Sequence, residues 1–126
     1  NINIIMKPTT IEGLNFLPWI NSENYKESME FIKGNDGIFF AHLELQGFEM
    51  MRGIKQMNGM SPQHFKHYDQ VISGHYHASS QQDNIRYLGC QMEFTWADCD
   101  DKKFFHVFDT DTKEIERIHI YSPLVA

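Results

Sequence analysis

The sequence has 126 residues, enough for one ordinary domain. Hydrophobic residues make up 41% and aromatics 13%, sufficient for a real core, and with 22% charged residues the chain does not read as disordered. The formal net charge of -6 argues against a simple basic patch gripping nucleic acid, so a nucleic-acid function would need bound metal or a partner to offset the repulsion.

No run reaches the roughly 20 apolar residues of a membrane helix. Residues 1–7 lack the basic-then-apolar order of a signal peptide, and they lack an initiator Met, so the expectation is a trimmed or partial chain. Cys90 and Cys99 are the only cysteines and form no framework spacing, which predicts reduced thiols in the cytoplasm.

In chain order, residues 2–6 predict a short strand that Pro8 stops. Gly13 to Trp19 alternates and predicts a strand running into a loop. A helix follows, with Asn21 or Ser22 as cap, Tyr25, Met29 and Ile32 on one face, and Gly34 at its end. The apolar run from Ile38 to Ala41 predicts a strand covered on both faces, ending at His42. Gln46 to Met60, rich in Gly and Asn, predicts an ordered loop. Ser61 and Pro62 start a short helix ending near Tyr68. Asp69 to Ser73 predicts a second buried strand, ending at Gly74-His75. Beyond Asn84 the pattern is strand and turn: Ile85 to Leu88, Lys103 to Phe108, a turn at Asp109 to Thr112, and a returning strand from Glu114 to Ile120. Helices mixed with strands in the first half and antiparallel strands in the second predict an α/β layered domain.

The chemistry concentrates at Gly74-His75-Tyr76-His77, just after an apolar strand. Two His two apart in an extended segment point the same way, and neutral imidazole is a common transition-metal ligand. Gly74 lets a phosphate or metal approach the backbone. Phe39-Phe40-Ala41-His42 repeats the arrangement, and two neighbouring strands ending in His bring the imidazoles together. Taken singly, each motif could be no more than surface or hydrogen-bonded histidines.

The order of these segments resembles the C-terminal part of a calcineurin-like metallophosphoesterase. Within it, Met51-Arg52-Gly53, Tyr87-Leu88-Gly89, Phe94 to Asp98 and Phe104 to Thr110 resemble the DNA double-strand-break repair nucleases: the SbcD-type subunit and its phage recombination counterparts. The resemblance covers about Asn15 to Ile120. It implies half of a four-layer α/β/β/α sandwich, with a mixed sheet and an antiparallel C-terminal part. It also implies a site for two divalent metal ions, often manganese, with His42 and His75 on one ion and His77 on the other. The implied activity is metal-dependent exonuclease or endonuclease cleavage of DNA in recombination and repair, beside an SbcC-type ATPase subunit.

The chain departs from the family pattern in lacking the Asp-x-His, Gly-Asp and Gly-Asn-His-Asp motifs that supply the bridging carboxylate and the catalytic His. Residues 1–126 therefore read as a single partial phosphoesterase domain that alone binds metal weakly and hydrolyses little. Half a sandwich exposes an apolar face, which predicts a homodimer. Two other readings share these residues: a phosphoesterase acting on a small phosphoester or phosphoprotein, and a non-catalytic fragment that folds and associates.

Among the remaining candidates, Arg52 could touch DNA phosphate, and Tyr76 either packs or lines the substrate groove. Glu44 is a surface carboxylate or orients His42. His64 and His67 read as a solvated helix face, and His106 and His119 as strand-surface residues. Phe94 and Trp96 read as core more readily than as a base-stacking platform. The family's usual Gly-Ser/Asn-Pro is replaced by Gly89-Cys90-Gln91, which leaves the shape of that loop open.

Overall fold

The computed structural model describes residues 1–121. Its centre is a six-stranded mixed sheet with strand order β1-β2-β3-β6-β8-β7. β1 (Thr9–Ile11) and β2 (Leu14–Leu17) form an antiparallel hairpin. Its two-residue turn, Glu12 and Gly13, has φ of 50° and 80°, the positive pair that a tight hairpin requires. α1 (Tyr25–Gly34) then crosses to β3 (Ile38–His42), parallel to β2. A small hairpin of β4 (Glu49–Met51) and β5 (Ile54–Lys55) and a 3-10 turn at Pro62–Phe65 precede β6 (Gln70–Gly74), parallel to β3. β7 (Ser80–Gln82) turns back into β8 (Ile85–Tyr87), and a separate hairpin pairs β9 (Lys103–Phe108) with β10 (Ile115–Ile120).

The two sheet faces are covered differently. On one face Leu17, Phe39, Val71, Ile85 and Tyr87 pack under Met29 and Ile32 of α1 and under Phe65 and Tyr68. Phe39, Ile32, Phe65, Val71 and Tyr87 are fully buried there. On the other face Leu14, Ile38 and Ile72 form a thinner core with Phe108 and Ile115 of the β9–β10 hairpin. Phe40 stacks on Phe16 and meets Phe108 edge-on, yet both Phe16 and Phe40 stay half-exposed.

The buried Asn15 side chain is satisfied inside the sheet. Buried Asn15 accepts from the Thr10 hydroxyl and donates to the carbonyls of Asp36 and Ile38, tying β1, β2 and the entry to β3 together. Asn35 closes α1 by donating to the Phe31 carbonyl at 2.9 Å. Asn21 accepts from the backbone of Glu23 and Asn24, capping the turn just ahead of the helix.

Several expectations are corrected. Residues 2–6 form no strand: Ile2, Ile4 and Met6 are exposed and the sheet begins only past Pro8. The run is mostly apolar, but among the described residues it has no partner strand. The segment 46–60 is a loop built around the β4–β5 hairpin. The second half is not wholly antiparallel, because β8 joins β6 in parallel and β7, not expected at all, supplies the antiparallel edge. Along β9 it is Phe105 and Val107 that face outward, while His106 turns inward with Phe104 and Phe108. Phe94 and Trp96 are not core: Trp96 is 90% exposed.

Phe39 contacts Phe31, Phe65 and Tyr68 and is fully buried. Phe39→Ala is expected to cost about 3–5 kcal/mol, whereas Ile4→Ser stays within about 0.5 kcal/mol. Urea unfolding of the two variants, followed by circular dichroism, checks both values.

Candidate metal centre

Parallel pairing of β3 with β6 sets His42 opposite Gly74, at the C-terminal ends of both strands. His75 follows at once with a backbone φ of 93°, a conformation that costs a non-glycine residue on the order of 1–3 kcal/mol. The extended geometry expected for residues 74–77 is therefore not kept. The bend carries the His75 ring back to His42: the centroids lie 5.2 Å apart at 70°. Trp19, from the end of β2, closes the third side, 5.8 Å from His42 and 5.0 Å from His75.

Gly74 is required by this packing. A Cβ at that position would sit 2.9 Å from His42 Nδ1. Partial burial of its ring, and then the nearby His75, hold the His42 imidazole below its usual pKa, which favours the neutral, ligand-competent form. His42 opens onto a cavity of about 200 Å³ lined also by Trp19, Glu44 and Asn58. Glu44 does not orient His42. Its carboxylate accepts from the Gln56 side chain.

The chain segment after His42 is clamped. Leu43 donates its N–H to the Ser73 hydroxyl, and the Tyr87 hydroxyl donates to the Leu43 carbonyl at 2.8 Å. Tyr76, 3% exposed and stacked on Tyr87, donates to the Leu45 carbonyl at 2.9 Å. Burial, and then the Glu44 charge, push its phenol up to about 12. Tyr76 thus packs, and it offers no face to a substrate groove.

His77 is held apart from the other two. Its Nδ1 lies 3.0 and 3.1 Å from the two Asp98 oxygens. A carboxylate only accepts, so Nδ1 carries the proton and Nε2 is left to bind a cation. Burial raises the Asp98 pKa, but donation from the Thr95 backbone and hydroxyl, from His77 and from the Phe94 backbone outweighs it and holds the carboxyl below its usual range. The His77 backbone is fixed as well, donating to Met50 and accepting from Cys90. Gly89, at φ 77°, permits that loop: a Cβ there would meet the His77 carbonyl and Ser79 N at 3.0 Å.

His77, Cys90 and Asp98 present one potential ligand atom each, all within 4.8 Å of one another. The Lys103 ammonium lies 3.2 Å from Cys90 Sγ. That neighbouring charge disfavours a cation at the sulfur and leaves His77 Nε2 as the better donor. Asp98 was not marked by sequence reasoning as a site residue. Its signal is Thr95-x-x-Asp98, a reciprocal capping box around a single 3-10 turn.

The other candidates fall elsewhere. Arg52 is ion-paired with Asp101 and donates to the Cys99 carbonyl, at the rim of a cavity of about 190 Å³ that includes His77. His67 contacts the Ile32 carbonyl at 2.9 Å. His119 packs on Phe104 and Tyr121.

The fold is of the α/β class, a mixed sheet with histidines gathered at the C-terminal ends of its parallel strands. Its sequence is 37% identical over 123 residues to exonuclease subunit 1 of Enterobacteria phage T4, across 94% of this chain and 36% of that protein. The chain therefore spans little more than a third of the relative's length. No model of a known protein family matches the chain.

Gly74→Ala should leave the unfolding midpoint in urea nearly unchanged, because the backbone there is ordinary and the clash is with a side chain. It should displace the His42 ring, read as shifted His42 and Trp19 resonances by NMR. Unmoved resonances would show that Gly74 does not set the His42 rotamer.

Proposed function

We propose that this chain is part of a metal-dependent DNA nuclease that cleaves phosphodiester bonds in recombination and double-strand-break repair. The observation that carries the reading is the His42–His75 pair, two rings 5.2 Å apart at the ends of adjacent parallel strands. The similarity to a phage exonuclease subunit gives that pair a chemical context. His77, whose Nδ1 is held by Asp98 rather than by the other two rings, supports a division of ligands in which His42 and His75 serve one divalent ion and His77 a second.

The residues fit such ions in part. They supply imidazole nitrogen donors, and the ring of His77 is held through Nδ1 by Asp98, the kind of support a metal-ligating His receives. They supply no bridging carboxylate. Asp98 is consumed by Thr95, Phe94 and His77, and the remaining ligands must come from outside these residues.

When bound, a pair of divalent cations, manganese by the family resemblance, supplies an activated water and offsets phosphate charge. The chain's own contribution is positional: Trp19 shields one side of the imidazole pair, Gly74 keeps the approach open, and the Tyr87–Tyr76 clamp fixes the segment behind His42.

The chain is read as the C-terminal half of a four-layer phosphoesterase sandwich. The half-covered Phe16 and Phe40 on the hairpin side of the sheet support this, since further packing would bury them. The partners this implies are DNA, an SbcC-type ATPase subunit and a second copy of the protein. Among the described residues no helix is long and apolar enough to cross a membrane.

In the full-length protein, His75→Ala should reduce manganese-dependent DNA hydrolysis by roughly a hundredfold or more while the fold persists. Full DNA-degrading activity in that variant would overturn the assignment. Faster cleavage of small aryl phosphates than of DNA by the unmodified protein would move the reading to a small-molecule phosphoesterase.

A further inference from the structure

A second concentration of chemistry lies between the main sheet and the β9–β10 hairpin. Arg86 of β8, His106 of β9 and Arg117 of β10 converge, with Ser79, Ser80 and Gln81, on a cavity of about 390 Å³. His106 and Arg117 are direct cross-strand partners. Arg86 stands in register with Ile72, on the sheet face that looks toward the hairpin. The Arg86 guanidinium donates to Gln81 at 3.0 Å, and that of Arg117 lies 4.1 Å from the centre of the Phe104 ring.

Among the described residues, neither arginine has a carboxylate within 4.0 Å, although acidic residues outnumber basic ones 17 to 11 in the chain. The neighbourhood is therefore locally positive. Burial, followed by Arg117 and Arg86, holds the His106 imidazole below its ordinary pKa. Converging guanidinium groups without a carboxylate partner match an oxyanion: the planar forks suit phosphate oxygens, and a bound anion removes the repulsion between the cations.

We propose that this cavity is a phosphate-binding site, with Arg86 and Arg117 gripping the phosphate oxygens. The site needs no metal and stands apart from the reading of His42, His75 and His77. Its neighbourhood suggests its use, because Ser79 lines both this cavity and the one that contains His77. The phosphate can be a free anion or one carried by a nucleic-acid strand lying across Ser79.

The test uses the full-length protein with chelator present, so that metal contributes nothing. A short labelled single-stranded oligonucleotide is titrated by fluorescence anisotropy at several salt concentrations, and inorganic phosphate is titrated while the His106 ring is followed by NMR. Arg86→Gln/Arg117→Gln is compared with Lys26→Gln/Lys33→Gln, which removes the same charge from α1.

The first pair should weaken oligonucleotide binding roughly tenfold and lower the slope of log K against log salt by about 1.4, two phosphates at about 0.7 each. The second pair should match the unmodified protein. If only the phosphate-induced His106 shifts are lost in the arginine pair, the site holds free anions, which still supports it. If both probes bind the two double variants alike, the proposal is overturned. Should the arginine pair fail to fold, Arg117→Gln alone, at an exposed position, is read by the same criteria.

Discussion

The parallel register of β3 on β6 is the constraint from which the rest of the site follows. Pairing Phe39 with Val71 and Phe40 with Ile72 places His42 against Gly74 and delivers His75 one residue later. Side chains alternate along a strand, so a slip of one residue would turn Phe39 and Val71 out of the main core and carry His42 to the opposite face. The fully buried Phe39 and Val71 therefore fix the placement of His42 and His75 as well as the fold. Site geometry and core stability share the same two strands.

Around that register the molecule spends its polar groups on holding backbone still. Ser73, Tyr87 and Tyr76 each hydrogen-bond to the segment Leu43–Leu45, so the chain cannot relax away once it has presented His42. His75 sits in a strained backbone conformation that such surroundings can sustain. His77 depends on a different support, the Thr95–Asp98 capping turn, which comes from a loop some twenty residues further on. The two supports are separate, which is why the imidazoles fall into a pair and a single rather than a cluster of three.

Much of this is legible in sequence. The strands ending at His42 and Gly74 are short, apolar and bounded by turn residues, and nothing in their composition competes with burial. The hairpin of β9 and β10 announces itself through Asp109, whose carboxylate accepts from the backbone of Asp111 and Thr112. What escapes is decided by distant partners. Ile2, Ile4 and Met6 carry a strand-like pattern without a neighbour to pair with. β7 contains only Ser and Gln, and it exists because β8 offers it an edge. The inward turn of His106 depends on which face of the hairpin meets the sheet, a fact its own alternation cannot specify. The pairing of Asp98 with His77, and of Arg52 with Asp101, likewise joins residues 21 and 49 positions apart.

We propose that His42 and His75 on one side, and His77 held by Asp98 on the other, are ligands of two different metal ions completed by residues beyond these. Anomalous diffraction at the manganese edge, from crystals of the full-length protein soaked in manganese, tests it most directly. Two peaks are predicted, one within bonding distance of both His42 and His75 and one at His77 Nε2. Absence of density at all three imidazoles, or a single ion at Cys90 and Asp98 with His42 and His75 unliganded, would contradict it.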